Sequence, residues 1–217
     1  MILAVLADET SKKELLSREF SPELEFLWTD SFRSLPDAIH ADAYLDLGFE
    51  LTQERIDLLA GLLPKPVIIN SVIPTLAEIG KPFIRLNAWP GFIARPVSEI
   101  SILNGQDPRP VKSFFDSIHW ACRIVPDTAG MVSPRIISMI VNEAFFTLEE
   151  EVSSKSEIDT AMKLGTNYPF GPFEWAELIG MEKIYTLLLR LHQTDKRYSI
   201  SQALKRAVPE IHNIKNE

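Results

Sequence analysis

The sequence predicts an α/β layer followed by an all-α part, and three observations carry that prediction. Short apolar runs at residues 2–7, 24–29, 43–47 and 66–70 alternate with polar, helix-compatible segments in the first part of the chain. Strands separated by helices imply a parallel sheet, because parallel neighbours need a crossover connection between them. After Pro110 the apolar positions fall at helical spacing instead, most clearly over 133–151. Residues 154–180, SKSEIDTAMKLGTNYPFGPFEWAELIG, then set two helix boundaries and a Pro/Gly turn in close succession.

Residues 2–7 read as a first strand: no basic segment precedes them and Asp8-Glu9 follow at once, unlike a signal peptide. A helix is expected over 11–18, a second strand over 24–29, and a third over 43–47, ending near Gly48. Thr52 is placed to cap a helix over 53–63. Residues 66–70 are a short apolar strand, and 83–86 add another after Pro82. The run Asn104-Gly105-Gln106-Asp107-Pro108 is a turn, and it sets the expected boundary between domains 1–108 and 109–217. Beyond it, 111–120 form an amphipathic helix and 123–125 an extended segment.

Ser133-Pro134 opens a long helix to about residue 151. Its Ile136, Ile137, Ile140, Val141 and Phe145 cover so much circumference that burial on several sides is expected. Ser154 and Glu157 have the spacing of a capping box, and Gly165 supplies a stop. Tyr168-Pro169-Phe170-Gly171-Pro172 is a stiff aromatic turn, with Pro172 suited to the first turn of the helix that runs over 173–179 to Gly180.

Composition narrows the function classes. At 217 residues with 46% hydrophobic content the chain can bury a substantial core in one large domain or two small ones. Runs such as 136–141 are too short to span a bilayer. Cys122 is the sole cysteine, which excludes an internal disulfide framework and a cysteine-rich metal site and points to the reducing cytoplasm. A net charge of -8 argues against a nucleic-acid surface but leaves room for a local basic pocket. Lys81, Arg85, Arg95 and Arg109 are the candidates to meet a phosphate there.

The wording IDTAMKLG…YPFGPFEWAELIG resembles the C-terminal domain of the 3-hydroxyacyl-CoA dehydrogenases. The likeness is strong over 125–180, moderate over 66–124 and around 197–208, and weak before residue 66. It implies a reduced Rossmann-like parallel sheet domain followed by a helical 3-hydroxyacyl-CoA dehydrogenase C-terminal-like domain. It also implies the NAD-linked oxidation of an acyl-CoA 3-hydroxyl, a place in fatty-acid metabolism, and a homodimer formed through the helical domain.

The family's catalytic histidine sits in H-F-F-N-P and takes the substrate hydroxyl proton, while a glutamate twelve residues later supports the imidazole. Counting back twelve from Glu99 gives Asn87, in Leu86-Asn87-Ala88-Trp89-Pro90-Gly91. The acid is thus retained and an amide stands at the base; aligning on the proline puts Leu86 there instead. Asn70-Ser71 keep the start of the family's N-T/S-S-S, so the resemblance assigns Asn70 and Ser71 to substrate, and Arg95 joins them as a basic residue that could meet a CoA phosphate. The family's P-G-F-I-V-N-R reads Ala129-Gly130-Met131-Val132-Ser133-Pro134-Arg135 here, with Pro134 replacing the asparagine.

A dinucleotide site of this kind needs G-x-G-x-x-G directly after the first strand, so that the backbone and helix N-terminus can approach the pyrophosphate. Here that stretch is Ala7-Asp8-Glu9-Thr10-Ser11-Lys12, with no glycine before Gly48. Asp30 follows the second strand where a ribose-binding acid would stand, yet reads as a turn residue. His40, His119, His192 and His212 lack a catalytic context. No cofactor is therefore predicted, although the family uses NAD. The expected protein is a non-catalytic family member that binds an acyl-CoA-like molecule or a partner, without nucleic acid or membrane. Two alternatives stay open: an active oxidoreductase with a non-standard cofactor site, and a scaffolding dimer with no small ligand.

Overall fold

The structure, a computed structural model, describes residues 1–208; His212 lies outside them. It divides into two compact units, Met1–Met131 and the chain from Val132 onward.

The first unit runs β1 (Ile2–Leu6), α1 (Glu9–Leu16), β2 (Glu25–Thr29), a 3-10 helix (Phe32–Asp37), β3 (Ala43–Asp46), α2 (Gln53–Ala60), β4 (Val67–Asn70), α3 (Leu76–Ile79), β5 (Ile84–Leu86), β6 (Ser98–Ser101), α4 (Pro108–Ser117) and β7 (Cys122–Ile124). Its strands form one seven-stranded sheet in the order β2-β1-β3-β4-β5-β6-β7. Neighbours from β2 to β5 pair in parallel, as the alternation of strands and helices implies. The strands bury both faces. Leu3, Val5, Leu45, Ile68 and Leu86 join one core with Trp120, while Ala4, Tyr44, Val67, Ile69 and Phe83 join the other. Side chains alternating with a period of two residues deliver β1, β3 and β4 to both cores.

Two features depart from the sequence reading. β6 is antiparallel to β5, with Arg85 opposite Ser101 and Leu86 opposite Ile100. The link between them holds turns but no crossover helix, so the chain can only reverse. The boundary expected at 108/109 falls inside the first compact unit, which extends to Met131. α4 sends Val111 and Phe115 into the core, and β7 pairs in parallel with β6. The Asn-Gly turn therefore opens a crossover within the sheet domain.

The second unit contains α5 (Ser133–Glu149), α6 (Lys155–Thr166), α7 (Pro172–Ile179), α8 (Met181–Thr194), a 3-10 turn (Lys196–Tyr198) and α9 (Gln202–Ala207). The capping box closes as expected: Ser154 Oγ accepts from the Glu157 N–H, and Glu157 Oε2 accepts from the Ser154 N–H at 3.1 Å. Asp159 is buried and accepts the Phe173 N–H at 2.8 Å, which satisfies one orphan donor at the start of α7. Gly171 lets this happen, since a Cβ there would lie 2.3 Å from Asp159 Oδ1 and 2.4 Å from its Cβ. Lys163 and Glu174 form an ion pair across the same corner. Phe145 packs edge-on against Phe173 and Phe170 against Trp175.

α5 buries Ile137, Val141, Ala144 and Phe145, but Ile136 remains 52% exposed, so one strip of its apolar circumference stays uncovered. Among the described residues, no helix is long and apolar enough to cross a membrane.

Candidate functional site

In an open α/β sheet ligands bind beyond the carboxyl ends of the strands, where the strand order changes direction. Here that point lies between β1 and β3, because β2 follows on one side of β1 and β3 on the other. The turn leaving β1 is Ala7-Asp8. Asp8 is the N-cap of α1, and its carboxylate accepts the Ser11 N–H at 2.7 Å. A negative charge of the protein's own therefore occupies the helix N-terminus, where the dipole and free amides favour an anion.

β3 ends in Asp46, which is fully buried. Arg55, from the first turn of α2, meets it with two bonds, Nε to Oδ2 at 2.7 Å and Nη2 to Oδ1 at 2.6 Å. The Gly48 N–H also reaches Oδ1, and the Arg55 guanidinium lies 4.8 Å from the Phe32 ring centroid. Burial pushes the Asp46 carboxyl upward, opposed by the Arg55 hydrogen bonds and charge. The carboxyl end of β3 is thus closed by a fork-to-fork ion pair.

The residues assigned to substrate by resemblance gather at the ends of β4 and β5. The Asn70 amide donates to Leu47 O at 3.0 Å and accepts from the Ala88 N–H at 3.2 Å. Ser71 Oγ donates to Pro74 O at 2.9 Å. Both side chains brace loops of the sheet domain. Asn87 and Glu99 are adjacent: the Asn87 N–H donates to Glu99 O at 3.0 Å, continuing the β5–β6 ladder by one residue. Asn87 is 2% exposed, and its amide oxygen faces the Trp89 N–H at 3.5 Å.

Arg95 packs on Phe92, with its guanidinium carbon 4.2 Å from the ring centroid. Burial lowers its pKa, and the negative charge of Glu99 works the other way. The loop that carries Arg95 is tied down from α1. Glu14 Oε1 accepts the Gly91 N–H at 2.8 Å, while Arg18 donates to the carbonyls of Ile93, Arg95 and Pro96.

Of the other basic candidates, Arg85 does not serve a ligand. It is fully buried in β5, donates to Ser71 O at 2.7 Å and Val72 O at 2.8 Å, and pairs with Asp127. Asp127 also accepts the Leu76 and Ala77 N–H groups at the start of α3. An arginine inside the apolar run Phe83-Ile84-Arg85-Leu86 was the sequence signal for this buried pair, since such a charge needs a partner. Arg109 pairs with Asp107 on the surface. His119 is exposed just after α4, at a positive φ of 58°. Burial raises the Cys122 thiol to about 11, so it is protonated near neutral pH and is not a nucleophile. Among the described residues, no group of three or more His, Cys, Asp or Glu could hold a metal ion.

A sequence model of the 3-hydroxyacyl-CoA dehydrogenase C-terminal domain matches residues 130–215. Residues 130–215 are thus similar to the C-terminal domain of the 3-hydroxyacyl-CoA dehydrogenases. The 3-hydroxyadipyl-CoA dehydrogenase of Escherichia coli is 43% identical over 76 residues, covering 34% of this chain and 16% of that protein. The 3-hydroxybutyryl-CoA dehydrogenase of Clostridioides difficile is 36% identical over 86 residues, covering 39% of this chain and 31% of that one. These matches thus span less than a third of either relative's length.

The likeness of fold reaches further. The (S)-3-hydroxybutyryl-CoA dehydrogenase of Ralstonia eutropha superposes with a TM-score of 0.71 at 17% identity, covering 94% of this chain and 92% of that one. The sheet unit thus shares the Rossmann-like fold of that solved structure. The helix corner from Ser154 to Gly180, including the Asp159–Gly171 contact, belongs to the part whose sequence still matches the family.

Proposed function

We propose that this chain is a non-catalytic member of the 3-hydroxyacyl-CoA dehydrogenase family that binds an acyl-CoA-like molecule in the cytoplasm as a homodimer. The observation that carries this reading is Asn87. It stands beside Glu99 where the family resemblance calls for a histidine, and a carboxamide cannot take a proton from an alcohol near neutral pH. A positioned general base contributes roughly 10²–10⁴ in rate. The turn after β1 supports the same conclusion about the cofactor. Asp8 already fills the N-terminus of α1 with a carboxylate, and a pyrophosphate brought there would meet like charge. The residues present do not suit NAD, and we derive no hydride step.

The ligand class follows from the relatives, whose names specify CoA thioesters. Arg95, half-buried on Phe92 beside the Asn87–Glu99 pair, is the basic residue best placed to meet such a ligand. The dimer is proposed through the helical domain, where the apolar strip at Ile136 on α5 is uncovered. A thermal-shift and calorimetric panel of NAD, NADP, CoA, acetoacetyl-CoA and longer acyl-CoAs tests the proposal. Saturable binding of a CoA thioester that weakens in Arg95→Ala, with no shift from NAD, is the expected result. Saturable NAD binding would favour the alternative of an active oxidoreductase. Binding of neither ligand at millimolar concentration would leave a scaffolding dimer as the better account.

A further inference from the structure

The sheet ends at β2. From β2 to β5 the order is the doubly wound 2-1-3-4-5 arrangement, whose second strand is an edge, whereas the two-half Rossmann order, 3-2-1-4-5-6, places a further strand outside it. Here only the 3-10 helix Phe32–Asp37 connects β2 to β3, and β3 pairs on the far side of β1. β2 is thereby left as an edge strand although its sequence, Glu25-Phe26-Leu27-Trp28-Thr29, has apolar residues on both faces. Phe26 and Trp28 stack on each other at 5.5 Å and extend the aromatic cluster that includes Phe20 and Trp120. Leu27, on the opposite face, is 43% exposed. A strand apolar on both faces suits the interior of a sheet, and an edge of this kind is normally protected by charge, proline or a bulge.

Main-chain parity shows which groups face outward. Glu25 donates its N–H to Met1 O, and in the parallel β1–β2 register the main-chain groups of Glu25, Leu27 and Thr29 turn toward β1. Those of Phe26 and Trp28 point away from the sheet. Two copies related by a two-fold axis at Leu27 can pair antiparallel over the whole strand. In that register Phe26 of each copy opposes Trp28 of the other in hydrogen-bonded pairs. Leu27 meets its own counterpart in a non-hydrogen-bonded pair, where side chains come closest. Charge is compatible as well, since Glu25 faces Thr29 and no acidic residue of the strand opposes its own copy.

We propose that β2 is a second self-association surface, through which two copies of this chain join their sheets edge to edge. The contact is short and lies below the area of a standard stable interface, so its occupancy depends on concentration. It is independent of the helical-domain dimer and with it generates assemblies larger than two. Neither contact requires a CoA ligand.

The test places a cysteine at the predicted two-fold axis, in a Cys122→Ser background. A non-hydrogen-bonded pair has its Cα atoms about 4.5 Å apart, within disulfide range. Leu27→Cys should give a disulfide-linked dimer under mild oxidation, at least tenfold faster than Ile39→Cys, whose parent residue is 68% exposed but off the strand. Separately, Leu27→Lys should lower the mass seen by sedimentation at high protein concentration, whereas Ile136→Lys should leave the Leu27→Cys cross-link intact. Cross-linking at position 27 no faster than at position 39 overturns the proposal. So does an unchanged mass for folded Leu27→Lys protein.

Discussion

Arg85 and Asp127 bury opposite charges with almost no solvent contact, and their main-chain partners hold the loops after β4 and before the helical unit. Burial lowers the Arg85 pKa and the Asp127 partnership opposes that shift. Removing one partner leaves an uncompensated buried charge. Asp127→Ala is therefore expected to cost about 3–5 kcal/mol of folding stability. The exposed Arg33–Glu54 pair is a control: Glu54→Ala should change stability by only about 0–1 kcal/mol. Chemical denaturation of both variants checks the contrast, and equal losses would contradict it.

At Gly171 the constraint is space, because its φ of -73° suits any residue. Gly171→Ala is expected to push Asp159 off the α7 N-terminus and cost about 1–3 kcal/mol. Urea unfolding measures this. Arg85 and Asp46 carried a signal as charges within apolar strands, although the sequence suggested a phosphate for Arg85 where the structure has Asp127. Their partners, Asp127 and Arg55, carried none, because distant or helical residues meet them only after folding.

The elements most legible in the sequence are those with local punctuation. Thr52, Ser154 and Pro172 set the starts of α2, α6 and α7, and apolar runs with turn residues bound β1 to β4. β6 was not legible. Ser98, Ile100 and Ser101 are buried in it, but two of the three are serines, and it is pairing with β5 on one side and β7 on the other that makes the segment a strand. α3 carried a readable signal in Thr75, Glu78 and Gly80, a capping box followed by a left-handed stop, although its single turn gives little periodicity.

Helix termini also set the acid response. Glu149, Glu157 and Glu174 all have lowered pKa values, led in each case by a side-chain hydrogen bond, to Ser201, Ser154 and Lys163 respectively. A lowered carboxyl pKa stabilises the folded state above the unfolded value, here 4.5, and that contribution is lost as pH falls through the folded value. The helical unit should therefore lose stability below about pH 4.5, followed in variants that keep Trp175 as the only tryptophan. Glu157→Gln should flatten the dependence. A stability that rises on acidification would contradict the argument.

Across the whole molecule, the sequence divides into a recognisable helical domain and a sheet domain recognisable mainly by its fold. The motif between Ser154 and Gly180 reports scaffold geometry: its residues cap helices, fill the corner or make room for Asp159. The positions on which the proposed function rests, Asp8, Asn87 and Glu99, lie elsewhere, and the last two meet through the Asn87 N–H and the Glu99 carbonyl. Which loops Asn70 and Ser71 brace could not be read from the chain, because their partners depend on how β3, β4 and the following turns meet.

The proposed function holds that this scaffold does not carry out the dehydrogenation. The most direct measurement is NADH formation from (S)-3-hydroxybutyryl-CoA and NAD, with Asn87→His and Glu99→Gln assayed alongside. No turnover above background is expected for the natural sequence, and none for Asn87→His, because restoring the base leaves the carboxylate at the α1 N-terminus in place. Steady NADH formation by the natural sequence that is abolished in Glu99→Gln would contradict it.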